Sequence, residues 1–594
     1  MFLQLIFGAM GAMLLLVLML SWEDALLFLS GASTMEELGA EEIERYESLR
    51  RQPFDINRAG RSRLLSSGLF STYQVASLLD YRQRCGDILS FEELALVDGI
   101  GERYAEALRY FIRVGEARVG RGTAAASVGS LGGDITLRCG IRGSPLTGSG
   151  GTKAQRGNEG FPRDAGSTGT GAQWNFGEWL SAGKMNLSYG ERAELNLGGS
   201  RALDGTAAAS YSAAVYGRGV LGKVVLGDFN ARFGQGLALW SGFSMSGVGS
   251  VEALRRNPSG VSAASSYNGN SRLRGAAADF SFGRWSLSAL GAKDLAALNV
   301  GCSSLSGQWS ATCLLQGREP VVSTDFKYAR GKFDVWGEGA WAFSSRSPAG
   351  MLGAGWNPAY KVRLALAVRC YAPDYKVATA GPLRAYSKAS DEAGVSLALR
   401  TASLLLTGDW CLRSRDSALQ GKWLLQYAPS LKIGSCVLVP SLRLQVRDRP
   451  GETPLRYRTD LRGDLDFRAG CWQLHGRYET LWYRDRAWAW YAESVYRAER
   501  GRTRFSAALR GGLFKVDNWD DRIYVYERDL PGMFTSQARY GRGWNASLVA
   551  GCTYSARRLR HRLDLRLSYI AYPWNPAPKP SRAEARVQYS LNWK

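Results

Sequence analysis

The sequence predicts a mainly β protein, a large antiparallel transmembrane β-barrel of about 20–26 strands, with a small N-terminal all-α domain. Three observations lead there. The first is the stretch Leu455 to Arg468, in which Leu455, Tyr457, Thr459, Leu461, Gly463, Leu465 and Phe467 alternate with Arg456, Arg458, Asp460, Arg462, Asp464, Asp466 and Arg468. Successive strand residues point to opposite faces, so one face is apolar or small and the other is wholly charged. Soluble strands average roughly 5–6 residues, whereas a strand crossing a bilayer needs about 9–11, apolar toward lipid and polar toward a wet lumen. The charged set is therefore expected to face the lumen. The second observation is the placement of charge. The 594 residues carry a net +22. Residues 1 to 130 hold 13 Lys/Arg against 17 Asp/Glu, so the basic excess lies in the later part of the chain. The third is composition, because 70 Gly, 19 Trp and 27 Tyr suit tight turns and aromatic girdles at two bilayer interfaces.

In chain order, Phe2 to Trp22 is an apolar run, followed by a second patch at Leu26 to Leu29 and then Ser30-Gly31-Ala32. Residues 1–32 are read as a signal peptide, with the small residues Ser30 and Ala32 suited to a signal peptidase. No Lys or Arg precedes the run, so an uncleaved membrane helix is the competing reading. Residues 33–54 form an acidic helical lead-in, with Met35, Leu38, Ile43, Tyr46 and Leu49 near one face and Glu36, Glu37, Glu41, Glu42, Glu44 and Glu47 elsewhere. Its pattern suggests a helix in solvent.

Residues 55–114 predict a compact helical domain. Asn57 and Ser71 are expected as helix caps, and Ser90-Phe91-Glu92-Glu93 reads as a capping box. Asp98-Gly99-Ile100-Gly101 reads as a tight turn before a helix packed through Tyr104, Ala105, Leu108 and Phe111. The order Asp55-Ile56-Asn57-Arg58-Ala59, helix, turn, helix, Ser90-Phe91-Glu92-Glu93-Leu94, Val97-Asp98-Gly99-Ile100-Gly101, helix resembles the tandem helix-hairpin-helix module of ComEA-type competence proteins. That resemblance implies duplex DNA as a partner, with Gly99, Ile100, Gly101 and Arg103 at the binding turn and backbone N–H groups presented to a phosphate. The first hairpin reads Gly68-Leu69-Phe70, without a second glycine, and the domain holds eight Arg against eight Asp/Glu and no Lys. A protein contact in the envelope is the alternative role.

Residues 115–133 read as a glycine- and alanine-rich linker, and residues 134–594 as the barrel. Asp134 to Ile141 is expected as its first strand, followed by a long Gly/Ser/Thr-rich loop from Gly143 to Gln173. Gly227 to Leu237 reads as a glycine-rich strand with a tight turn, or alternatively as a bulged strand or a segment folded into the lumen. Arg582 to Lys594 alternates throughout and is expected to close the barrel. The whole organisation resembles uncharacterised outer-membrane proteins of Bacteroidetes-type bacteria, which implies outer-membrane lipid and lipopolysaccharide as surroundings and a helical domain in the periplasm.

The nine cysteines are scattered without a C-x-x-C pair, and His475 and His561 are the only histidines. No catalytic centre, metal or cofactor is expected. The function that these features suggest is transport or translocation of anionic cargo, with DNA binding and uptake as one form of it. A structural or assembly role in the envelope is the alternative.

Overall fold

The computed structural model describes residues 20–115, 131–145, 174–217, 219–244, 247–267, 272–359, 361–414, 419–449 and 456–593, with backbone alone at Trp174, Asn175 and Arg456. Twenty-four antiparallel strands, each paired with its sequence neighbours, form a closed barrel. The ring shuts where the first strand, Leu131–Pro145, pairs with the last, Arg582–Trp593, in the register Ile135↔Leu591. The barrel thus begins three residues earlier than the expected Asp134, inside the stretch read as linker; residues 116–130 lie outside the described ones.

Alternation explains the wall. In the Arg456–Ala469 strand, Tyr457 and Leu465 point outward at 61% and 49% exposure, as expected of an apolar belt facing lipid. One end of the barrel carries tight turns in which Gly283, Gly331, Gly434, Gly470 and Gly501 adopt φ between +54° and +61°, a conformation that glycine alone enters without strain. Both ends of the barrel chain, Leu131 and Trp593, lie at this short-turn end. The opposite end carries the long connections. Three of them, in their described residues 233–244 and 247–259, 372–391 and 517–540, fold inward and pack against the wall. The third contains a hairpin, Ile523–Glu527 with Thr535–Arg539, tied down where Glu527 meets Arg566 at 2.8 Å and Asp529 meets Arg586 at 2.6 Å.

The described N-terminal residues, from 20 to 115, fold as six α-helices: α1 (Trp22–Ser30), α2 (Ala40–Arg51), α3 (Arg61–Ser66), α4 (Thr72–Cys85), α5 (Phe91–Leu96) and α6 (Gly101–Leu108). A two-residue parallel bridge, Phe54↔Ile112 and Asp55↔Arg113, ties the ends of the α3–α6 unit together. Capping is legible in the sequence at Ser71, which makes a full box with Gln74, and at Ser90, whose hydroxyl accepts the Glu93 N–H. Asn57 is not a cap; its amide pins the α4–α5 connection through both backbone groups of Ile88, at 2.8 and 2.9 Å. Helix α1 falls inside the stretch read as signal peptide. It has a capping box from Ser21 and Asp24, and Ala25 and Leu26 are wholly buried among the other helices.

This helical unit sits inside the barrel. Its side chains meet the wall along the arc that includes the closing seam: Arg51 at Thr136, Glu44 at Lys184, Arg63 at Glu194, Glu37 at Arg443, and Glu36 at Arg462 and Arg477. The acidic lead-in is therefore not a helix in solvent. Glu42, Glu44 and Glu47 are buried: Lys184 of the wall holds Glu44 at 2.9 Å, Arg45 of the same helix and Arg232 of the wall hold Glu42 at 2.5 and 3.8 Å, and Arg50 and Arg51 of the same helix hold Glu47.

Candidate functional site: the plugged lumen

Two features of the lumen bear on function. The first is a belt of ion pairs on the acidic segment. Asp24 meets Arg468 at 3.2 Å and Glu23 meets Arg528 at 2.8 Å. Glu36 lies 2.6 Å from Arg477 and 3.5 Å from Arg462 and also accepts the Tyr526 N–H. Glu37 meets Arg443 at 3.1 Å and Glu44 meets Lys184 at 2.9 Å. Burial pushes the Glu36 carboxyl upward, but Arg462 and Arg477 outweigh it and hold the group well below the usual carboxylate range. Glu37 is lowered in the same way, with Arg443 and Lys422 opposing its burial. Such pairs are costly to break from one side, because the partner left behind is a buried, uncompensated charge.

The wall residues named from sequence take part in this belt. Arg462, Asp464 and Arg468 face the helical unit, Asp464 through Arg477 at 2.5 Å. Arg458 donates to the Asp520 and Arg522 carbonyls of the infolded connection and reaches Asp460 at 3.2 Å. Asp466 accepts His475 Nδ1 at 2.9 Å, and His475 Nε2 lies 3.1 Å from the Tyr491 hydroxyl. The Arg456 backbone pairs with Arg449, and its side chain, like the whole of Leu455, lies outside the described ones. Tyr491 points inward and is buried, so not every tyrosine of the barrel belongs to an interfacial girdle.

The second feature is a cavity of about 1340 Å³ between the helical unit and the wall, on the side away from the acidic belt. Gly99, Ile100, Gly101 and Arg103 all line it, and so do Lys327, Arg330, Arg363 and Arg400 from the wall. Gly99 needs its φ of +81°, and an added Cβ would lie 2.5 Å from the Tyr73 ring; Gly101, at φ +71°, faces open space. The turn is thus packed behind and open in front. The Gln74 amide fixes it by donating to the Gly99 carbonyl at 2.8 Å.

Charge in this cavity is in cationic surplus. Asp334 serves both Arg255 at 2.9 Å and Arg363 at 3.7 Å, and Glu252 serves Arg400 at 2.6 Å. Lys327 and Arg330 have no ion-pair partner among the described residues. Burial and then the neighbouring Arg400 lower the pKa of Arg103, and burial and then Arg363 lower that of Arg255. Like charges crowd there, a setting that an incoming anion relieves. Sequence reasoning missed these wall cations because Lys327, Arg363 and Arg400 sit singly on separate strands. Among the described residues no group of three or more His, Cys, Asp or Glu side chains could hold a metal ion.

No family model matches the sequence, and no curated protein does. Solved structures with similar chain courses include OccK7 (OpdD) of Pseudomonas aeruginosa, 9% identical with a TM-score of 0.30, covering 79% of this chain and 99% of that one. The P pilus usher (PapC) translocation pore is 9% identical with a TM-score of 0.34, covering 78% of this chain and 99% of that one. OccK2 (OpdF) of Pseudomonas aeruginosa, solved with glucuronate, is 10% identical with a TM-score of 0.30, covering 78% and 98%. Likeness at this level adds nothing to the barrel that strand pairing already shows.

Proposed function

We propose that the protein is an outer-membrane translocation barrel for anionic cargo, closed at rest by its own N-terminal helical plug. The observation that carries this reading is the asymmetric seating of the plug, ion-paired to the wall on one side and separated from a cation-rich wall by the cavity on the other. The short-turn end then faces the periplasm and the long connections face outward, following the general rule for such barrels. Cargo enters beside the Gly99–Gly101 turn, draws on Lys327 and Arg330, and passes when the plug tilts or leaves. The helix-hairpin-helix likeness fits an anion at this turn, and duplex DNA is the most demanding form of that cargo. Helix α1 belongs to the mature plug in this reading, so the leader ends before Ser21. The chain works as a conduit, without a catalytic step.

Conductance across a planar bilayer tests the proposal. The full chain should conduct weakly, and a chain lacking residues 21–114 should open a large pore that prefers anions in a salt gradient. A barrel that conducts in neither form would sink the transport reading. A second reading, docking of an envelope protein on the helical unit, is supported by Leu89 and Leu96, apolar residues left 53% and 77% exposed. Leu96→Glu should abolish capture of such a partner while leaving conductance unchanged.

A further inference from the structure

The barrel wall is not uniform. The Ala193–Arg201 strand pairs with Ala207–Val215 over nine residues, but the next boundary holds only five pairs, Ser212–Tyr216 with Lys223–Gly227. At Gly227 (φ +89°) the Leu221–Arg232 strand leaves its neighbour, and Phe229–Arg232 turns to pair with Gly260–Ala263 instead. An added Cβ at Gly227 would lie within contact of the Tyr211 carbonyl, so the departure depends on glycine. The Ala207–Tyr211 edge consequently has no ladder partner on that side among the described residues.

Side chains satisfy this edge instead. The Ala209 carbonyl accepts Arg272 at 2.6 Å and Arg274 at 3.0 Å, and the Tyr211 N–H donates to the Asp228 carboxylate at 3.0 Å. Asp228 is wholly buried and holds Arg272 at 3.3 Å and Arg274 at 2.6 Å. The outward face of the seam is amphiphilic. Tyr211 and Val215 are exposed beside Arg274, whose guanidinium stands 4.7 Å from the Tyr211 ring centroid. The inward face is polar, with Ser212 donating to the Ala264 carbonyl and Ser266 nearby. The plug clamps this inner side: one Glu44 oxygen accepts the Ser266 hydroxyl at 2.8 Å and the Tyr267 N–H at 3.2 Å, and the other holds Lys184.

We propose that this seam is a lateral portal, through which an amphiphile with an anionic head and an acyl tail passes between the lumen and the surrounding bilayer. A backbone ladder must lose its register to open, whereas side chains that rotate can open and reclose a gap. The head takes the place of the Asp228 carboxylate on Arg272 and Arg274, an exchange of like for like at guanidinium groups built to grip carboxylate or phosphate. The tail stays on the apolar outer face beside Tyr211 and Val215. Release of Glu44 frees the Ser266-Tyr267 segment, so movement of the plug and opening of the portal are coupled.

The test is photolabelling of the reconstituted full chain with a diazirine-bearing stearate, followed by peptide mapping. Adducts are expected to concentrate on Ala207–Tyr211 and Ser262–Tyr267, to rise several-fold in Glu44→Gln, and to disappear in Arg272→Ala/Arg274→Ala. Equal yield in all three proteins, an even spread around the outer belt, or equal labelling by the neutral stearyl alcohol analogue would overturn the proposal. A lysophosphatidate analogue run in parallel tells a phosphate head from a carboxylate head; a preference for either supports the portal. Heat-dependent migration in gels reports whether the double variant has folded. Independently of any variant, amides of Ala207–Tyr211 should exchange at least tenfold faster than those of Ala193–Arg201, and equal protection would refute the open edge. Axial conductance plays no part in this readout, so it can fail while the plugged conduit stands.

Discussion

The two sides of the plug are held by opposite means. Toward the strands around Arg443, Arg462 and Arg477, Glu36 and Glu37 are paired and half-buried, each carboxylate meeting wall arginines. Toward Lys327 and Arg363, the Gly99–Gly101 turn looks across an open cavity at cations in surplus. The first side resists displacement because each carboxylate would leave an uncompensated buried charge. The second meets the plug through contacts such as that of Arg400 with the Phe28 ring at 5.4 Å, and its surplus cations attract an anion. Under the proposed function, fastening on one side and attraction on the other would make one element both hinge and cargo path.

The largest effect should come from breaking the fastened side. Arg462→Ala/Arg477→Ala strands the Glu36 carboxylate in a buried site and is expected to weaken plug seating by about 3–5 kcal/mol, seen as long open events in single-channel recordings. Adding Glu36→Ala should recover much of that loss; no recovery would mean that the arginines act elsewhere. Acidification should attack the same side. Glu23, Glu36 and Glu37 have lowered folded pKa values, so the stability they contribute is present above the unfolded carboxylate range and is lost as pH falls through the folded values. Closed-state conductance should stay flat from neutral pH to about 5 and rise only below about 4.

On the open side, Gly99→Ala should cost more than Gly101→Ala. Both incur about 1–2 kcal/mol for a left-handed backbone, but only Gly99 also drives a methyl into the Tyr73 ring. Thermal unfolding of the helical amides, followed by hydrogen exchange, separates the two. Lys327→Ala/Arg330→Ala should move stability by no more than about 0.5 kcal/mol yet shift the reversal potential toward cations. Arg109→Ala loses partly exposed pairings with Glu92 and Glu106, each worth about 0.2–1 kcal/mol, and should lower thermal stability slightly while leaving the reversal potential unchanged.

The wall was legible because period-two alternation is local: Tyr457 and Arg458 reveal opposite faces without reference to any other residue. The first strand was legible from Asp134 to Ile141 and the last from Arg582 onward for the same reason. The plug was not. An acidic segment carrying Glu36 and Glu44 reads as solvated, because the wall cations that meet these two residues lie far off along the chain, Lys184 at 140 positions from Glu44 and Arg477 at 441 from Glu36. The inward fold of the Gly227–Leu237 segment stayed one option among three, since glycine at Gly227 marks a departure from the ladder without giving its direction. The four hairpin residues were found as a turn, but the wall cations opposite them come from strands whose neighbours in space no local pattern reveals.

The closing pair of strands has a consequence for how the molecule is made. Arg51 donates to Thr136 on the first strand at 2.7 Å, and its carbonyl lies 3.5 Å from the Asn592 amide on the last. The plug is therefore stitched across the line where the ring shuts. Helices built from near-neighbour contacts fold quickly, and the N-terminal part of a chain folds first, whereas pairing residue 135 with residue 591 is among the slowest closures the chain can make. The helical unit is then expected to speed that closure, because Arg51 already holds the first and last strands side by side, while the strand ladder itself is what shuts the ring.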